Sequence, residues 1–588
     1  MVRNTRKPSS YRILHRRHSL LPQLVANMAP ATVTIANGAT WQEVVADRQR
    51  HRDATVAEIR PPVPAVHKED IPLNTTGIPK KLLTEQEVQI TNTDVEDLVK
   101  KITSGEWSSA TVTNAFLRRA GLAQKLTNSI TELLPKRALD KAAELDQYLA
   151  ANKKPIGPLH GVPISVKEHI PIKGEDINAG FVGWVGQVAE EDALIVQYLE
   201  SAGAVIFART TQPQTLMQIE TDSNLYGITV NPYNTTLSAG GSSGGEGALI
   251  GLRGSILGIG TDIGGSIRVP AASNGLFGYK PTSQRLPTAG WVAAMAGAES
   301  ILSAIGPIST SLEGLRAFSK SIIDQKPWFK QPSLVALDWR DSAQYYPDRK
   351  LRVGVIYSDG VVRPHPPVLR ALNEFVGKLQ KSPGVEVVEW KPWKHDLAWS
   401  IIAKIYFADG GADVKAAVNS SGEPWRPLAK FILHENPDVT EHTIATLWKA
   451  ILERDDYRTA YAKLWNENPV DVILSPAGPG VATKHGTSRY WGYTSQWNLL
   501  DYPAIIFPTA DAVTDPPREQ PYEYPEGYQP LNERDKYVYG LWKEHGAEGY
   551  KDAPISLQLV GRRFDDEKLF RAAQILLEEA GLPTAVPA

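Results

Sequence analysis

Residues 240–268 read GGSSGGEGALIGLRGSILGIGTDIGGSIR and contain two serine sites set in glycine, Ser242/Ser243 and Ser266. Glycine has no Cβ, so a dense run of it marks backbone that turns sharply or lies close against another group. Two such runs, each carrying a hydroxyl, imply exposed backbone N–H groups around nucleophilic oxygens. Acyl transfer needs those parts: an attacking atom and an oxyanion hole. The small and aliphatic residues from Gly244 to Leu257 predict a buried helix between the two sites. The plain alternative is a pair of glycine-rich turns in a buried sheet, and the joint density of Gly and Ser argues against it.

Other chemistries that use glycine-rich loops fail on particular residues. A phosphate-binding P-loop needs Lys and Ser/Thr after its last Gly, but Glu246 follows Gly245, and a carboxylate there repels phosphate. A dinucleotide fingerprint needs a third Gly after Gly258-Ile259-Gly260, and Ile263 occupies that place. A nucleophile elbow survives longer, because Gly240-Gly241-Ser242-Ser243-Gly244 fits G-x-S-x-G. It requires a downstream acid and a histidine; His365, His395, His434, His442, His485 and His545 supply candidates. That reading gives Thr261-Asp262-Ile263-Gly264-Gly265-Ser266 no role.

A third segment, Gly161-Val162-Pro163-Ile164-Ser165-Val166-Lys167-Glu168, puts a lysine at the end of an apolar strand. Taken with the two serine sites, in this order and spacing, the chain resembles the amidase signature family. The resemblance extends to Pro158-Leu159-His160-Gly161, Tyr279-Lys280-Pro281-Thr282, Asp471–Pro476 and Val560-Gly561-Arg562-Arg563. From about Trp41 onward the chain is most similar to the fungal acetamidase branch, through Pro213-Gln214-Thr215-Leu216-Met217, Pro364-His365-Pro366-Pro367 and Gly422-Glu423-Pro424.

The resemblance implies Ser266 as nucleophile and Ser242 as the bridge to Lys167, a Ser–Ser–Lys triad, with a cis peptide at Gly241–Ser242. It implies an oxyanion hole from the N–H groups of Ile263, Gly264, Gly265 and Ser266. Ser243 and Thr261 are expected to hydrogen-bond around the triad, and Asp262 and Arg268 to hold the loop as an ion pair. The chemistry is coherent: a serine needs a base, and a lysine serves as one only when neutral. Burial on an apolar strand lowers its pKa in the required direction. The chain departs from the family pattern in having Glu168-His169 where Asp usually follows the lysine, which bears on how Lys167 is positioned. His169 reads as a residue that packs behind or supports the groups that react, with an extra acid/base as the alternative.

The rest of the chain is consistent with such an enzyme. Its 588 residues exceed the size at which one core usually stops growing. A hydrophobic fraction of 42 % with 22 % charged residues is that of an ordinary globular protein. A net charge of −2 argues against nucleic acid as partner, and the absence of cysteine excludes thiol nucleophiles and zinc–thiolate sites. No H-E-x-x-H is present, and no metal or organic cofactor is expected. There is no apolar run long enough for a transmembrane helix.

Residues 1–40 are basic, with Arg3, Arg6, Lys7, Arg12, Arg16 and Arg17 and no acid before Glu43. They read as a disordered tail or an extension before Met28, with a mitochondrial transit peptide as the minority alternative to a cytoplasmic protein. The resemblance implies that residues 41–588 form the amidase domain, with a signature core at roughly 155–310. Residues 41–80 read as a surface wrap and 511–553 as a polar insertion. Thr93-Asp94-Val95-Glu96 predicts a capping box opening a helix that stops at Gly105, and a second helix starts at Ser108 or Ser109. Strand-like runs at Val162–Val166, Ala204–Phe207, Val353–Tyr357, Val472–Leu474, Ala504–Phe507 and Pro554–Val560 alternate with helices. The alternation argues for an α/β protein with a central, mostly covered sheet, and the resemblance implies the amidase-signature fold, a central mixed sheet covered by helices on both faces.

The expected function is hydrolysis of a carboxamide to carboxylate and ammonia or amine through an acyl-enzyme. The branch resemblance favours small aliphatic amides such as acetamide, and a homodimer is allowed. Leu216, Met217, Trp291, Tyr490 and Trp491 are candidate pocket walls. Three alternatives stay open: an amidotransferase-type or tailoring enzyme on a larger substrate, an α/β-hydrolase esterase using Ser242, and a catalytically silent binding protein.

Overall fold

The computed structural model describes residues 38–346, 349–514 and 522–587. Thirteen strands are present among them: β1 (Ile130–Leu133), β2 (Pro163–Lys167), β3 (Val205–Thr210), β4 (Asp222–Ser223), β5 (Gly227–Ile228), β6 (Leu257–Asp262), β7 (Phe277–Lys280), β8 (Ala304–Ser309), β9 (Leu351–Val355), β10 (Val385–Glu389), β11 (Val472–Pro476), β12 (Ala504–Ala512) and β13 (Pro554–Val560). Eleven form one sheet in the order β1-β3-β2-β6-β8-β7-β12-β13-β11-β9-β10, and β4 and β5 pair separately. The sheet is mixed. β2 runs parallel to both β3 and β6, whereas β6–β8, β8–β7, β7–β12, β12–β13 and β13–β11 are antiparallel. Helices cover both faces, so the central strands are buried along their whole length, as the continuous burial of β2, β3, β6 and β13 records.

The helix Ser109–Thr127 starts at Ser108, whose hydroxyl accepts from the Thr111 N–H. It packs Phe116, Leu117 and Ala120 into the core that also receives Ile164 and Val166 of β2. Its predecessor, Val95–Thr103, begins at Asp94 but lacks the expected capping box. The Asp94 carboxylate instead accepts from Thr310 Oγ1 at 2.7 Å and pairs with Arg253 at 3.3 Å. A tertiary bond has replaced a local one. Residues 41–57, expected to wrap the surface, form a helix opened by a complete capping box of Thr40 and Glu43. Between β12 and β13, residues 533–549 are helical and turn Val538 and Trp542 inward. The expectation of a basic tail falls mainly on residues 1–37, outside the described residues. No helix among the described residues is long and apolar enough to cross a membrane.

Candidate active site

Side chains alternate along a strand, so Ile164 and Val166 face the helical core while Ser165 and Lys167 face the other way. β2 and β6 are parallel neighbours, with Val166 beside Ile259. Their carboxyl ends therefore meet, and Lys167 arrives next to Thr261. Ligands of open α/β sheets bind at such ends. The loop from β5 to the helix Gly244–Gly251 delivers Ser242 to the same point, through a cis Gly241–Ser242 peptide. Lys167 Nζ lies 2.6 Å from Ser242 Oγ and 3.0 Å from Thr261 Oγ1. The Ser243 N–H donates to the Ser266 carbonyl at 3.2 Å, tying the two glycine-rich loops together.

Lys167 is fully buried, and that burial lowers its pKa to about 7 against the opposing pull of Asp262 and Glu246. A large fraction of the amine is therefore neutral at physiological pH. Glu246, on the first turn of the Gly244–Gly251 helix, accepts from Ser165 Oγ at 2.5 Å and Thr210 Oγ1 at 2.8 Å. Burial pushes it up to about 8. Glu168 turns away from Lys167: its carboxylate accepts from the Asn178 and Ala179 N–H groups at 2.7 and 3.0 Å and from the Gln212 side chain, and it faces Arg209. It fastens the turn at 178–179. His169 contacts Thr261 Oγ1 through Nε2 at 3.0 Å and the Val292 carbonyl through Nδ1 at 2.8 Å.

The loop after β6 is organised by Asp262. Its carboxylate accepts from the N–H groups of Gly265 (2.9 Å) and Ile267 (3.2 Å), from Asn498 Nδ2 (2.9 Å) and from Arg268 Nη2 (2.9 Å). Burial alone would raise the Asp262 pKa, but Arg268 and Asn498 hold it down to about 2. Arg268 reaches on to Gln558 Oε1 at 2.8 Å and the Thr494 carbonyl at 2.9 Å. Both ion-pair partners are fully buried, and removing one leaves an uncompensated charge. Asp262→Asn is accordingly expected to lower unfolding stability by about 3–5 kcal/mol, measured by chemical denaturation.

Among the described residues, the N–H groups of Ile263, Gly264 and Ser266 have no acceptor. The Gly265 N–H, expected with them, points instead to Asp262. Tyr406 Oη donates to the Ile263 carbonyl at 2.8 Å and Thr494 Oγ1 to the Gly264 carbonyl at 2.6 Å. A trans peptide is planar, so pinning the Ile263 carbonyl aims the Gly264 N–H the opposite way. Gly265 has φ +139°, and a Cβ there would lie 2.4 Å from Thr494 Oγ1, which makes glycine obligatory.

A cavity of about 330 Å³ opens at this point, with His169, Ser242, Thr261 and Ser266 in one wall. Leu216, Met217, Ile263, Trp291, Met295 and Ile405 give the rest an apolar character. Tyr490 and Trp491, expected as walls, do not line it. Tyr490 donates to Asp359 at 2.6 Å, and the Trp491 indole backs Gly264 from behind. Tyr406, Thr494, Asn498 and Gln558 also belong to the site, and no local motif in the sequence marks them. None of the six downstream histidines that an α/β-hydrolase reading requires hydrogen-bonds Ser242 among the described residues. His365, for instance, contacts the Val538 carbonyl, and His395 packs on Tyr461 and Trp497.

A family model described as Amidase matches residues 111–570. An acetamidase of Emericella nidulans is 39 % identical over 91 % of this chain and 97 % of its own, and one of Aspergillus oryzae is 37 % identical over 91 % and 98 %. The solved structure of a fatty acid amide hydrolase superposes with a TM-score of 0.86 at 34 % identity, covering 92 % of this chain and 96 % of that one.

Proposed function

The chain belongs to the amidase signature family and is an amide-hydrolysing enzyme, and we propose that it works through a Ser–Ser–Lys triad of Ser266, Ser242 and Lys167. Ser266 Oγ attacks the amide carbonyl while Ser242 takes its proton and passes its own to neutral Lys167. One hydroxyl can donate and accept at once, as this relay requires. The N–H groups of Ile263, Gly264 and Ser266 receive the developing oxyanion, and Gly265 with Asp262 shapes their loop. Lys167 returns the proton through Ser242 to the leaving nitrogen, the C–N bond breaks, and water hydrolyses the acyl-enzyme to carboxylate. The observation that carries the reading is the 2.6 Å Lys167–Ser242 contact, made by an amine that burial brings to a pKa of about 7.

The substrate we propose is a neutral carboxamide. Acetamide is supported by the names of the fungal relatives. A cavity of about 330 Å³ is more than acetamide fills and falls at the small end of ordinary ligand pockets, so larger apolar acyl groups are proposed as substrates too. The test of the triad is to label the protein with a fluorophosphonate and map the adduct by tandem mass spectrometry. The adduct is expected on Ser266; an adduct on Ser242 would transfer the nucleophile's role to that residue and sink the assignment.

A further inference from the structure

Lys167 has two hydroxyl neighbours, and a base needs its lone pair directed at one of them. A neutral amine carries two N–H bonds and a single lone pair. If the lone pair turned to Thr261, the amine would offer Ser242 only a hydrogen, and no proton could be taken from it. Something must decide between the two arrangements. The contacts of His169 supply that decision.

The Val292 carbonyl is an acceptor only, so the His169 Nδ1 that faces it at 2.8 Å carries the hydrogen. Burial, reinforced by the nearby lysine, lowers the His169 pKa to about 3 and keeps the ring neutral. Its Nε2 is then a bare acceptor, 3.0 Å from Thr261 Oγ1. Thr261 has one hydroxyl hydrogen, and Nε2 takes it. The lone pairs of Thr261 Oγ1 are left for Lys167 Nζ at 3.0 Å, which has to donate there. Every hydrogen in the row from Val292 to Lys167 is thereby fixed in one direction. We infer that His169 is a positioning residue which, through Thr261, keeps the Lys167 lone pair off Thr261 and so available to Ser242.

The inference rests on Lys167 being the base. The charged and titratable groups around the row are Asp262 and Glu246 towards Lys167, and Lys167 and Arg209 towards His169. His169 itself stays neutral across the working range, so it sets direction and does not exchange protons with substrate.

The test is a cycle of His169→Phe, Thr261→Val and the double variant, with His169→Gln as the conservative member, assayed on one primary amide from pH 5 to 10. His169→Phe is expected to lower kcat about ten-fold, as one hydrogen bond's worth of preference is lost, while KM moves less than about two-fold. The fall should be uniform with pH, because the amine still deprotonates but is misdirected. Gln, whose Oε1 can accept from Thr261, should restore most of kcat. In the Thr261→Val background His169→Phe should add almost nothing. Additive losses in the double variant, or no rescue by Gln in a protein whose melting temperature matches the wild type, would overturn the proposal. Loss of one limb of the pH profile in His169→Phe would overturn it in favour of His169 as an acid/base. If Lys167→Met, assayed beside the cycle, keeps activity, it is the triad reading that fails, and that variant tells the two failures apart.

Discussion

Ser266→Ala is expected to lower kcat by about 10⁶-fold and to abolish fluorophosphonate labelling, the scale seen when a nucleophile acting in a unit with its base is removed. Ser242→Ala should behave differently. It removes the relay and leaves the attacking atom, so kcat should fall by the roughly 10²–10⁴-fold of general acid–base catalysis, while labelling at Ser266 slows but persists. The distinction is useful because both serines are buried in glycine-rich loops and either fits a nucleophile by local pattern alone. An adduct on the Ser266→Ala protein would reverse the assignment. Circular dichroism and melting curves on both variants separate lost chemistry from lost fold.

Lys167→Met is the second large effect, expected at about 10⁴-fold in kcat. Its counterpart in the wild type is a pH profile. The base works only when neutral, and burial has brought its pKa to about 7. Activity should therefore be low in acid, rise through a midpoint near 7 and level off above it; in Lys167→Met that limb should vanish. Stability shifts with pH in the same direction. The folded-state pKa lies below the unfolded value of 10.5. Between about 7 and 10.5 the unfolded chain thus holds a proton the folded chain does not, and this group's contribution to stability rises with pH. Lys167→Met lifts that penalty, so at pH 7 its melting temperature should equal or exceed the wild type's, with the difference shrinking towards pH 10. A variant both inactive and strongly destabilised at neutral pH would contradict the account.

The residues that were legible in advance share a property: their meaning is local. Val162–Val166 announces a strand by its apolar run, and Lys167 stands out because a charge ends it. The glycine and serine of 240–268 mark tight loops wherever they occur. What was not legible depends on chain far away. β6 carries the site, yet its Leu257–Asp262 sequence alternates glycine with larger residues and lacks the β-branched density of a strand. Asp94 looked like part of a local cap and is bound to Thr310 and Arg253. Tyr406 and Thr494, which pin the Ile263 and Gly264 carbonyls, lie about 140 and 230 positions downstream of them. Trp491, a candidate pocket wall by sequence, packs beside Gly264 and does not line the cavity, because a tryptophan in sequence does not say which side of a backbone it will pack against.

Lys167, Ser242 and Ser266 lie within a hundred residues, and that stretch has the look of a transplantable cassette. The reach of Arg268 argues otherwise. It joins Asp262 to Gln558 of β13, 290 positions on, and to Asn498 and Thr494 on the way. A graft of the 160–270 segment onto another scaffold would carry every group the reaction names and leave behind the anchorage that gives the loop its shape. Cutting the chain between β8 and β9 should likewise yield two pieces that are inert apart. Activity would return only on their reassembly, which makes this enzyme a natural starting point for a split reporter.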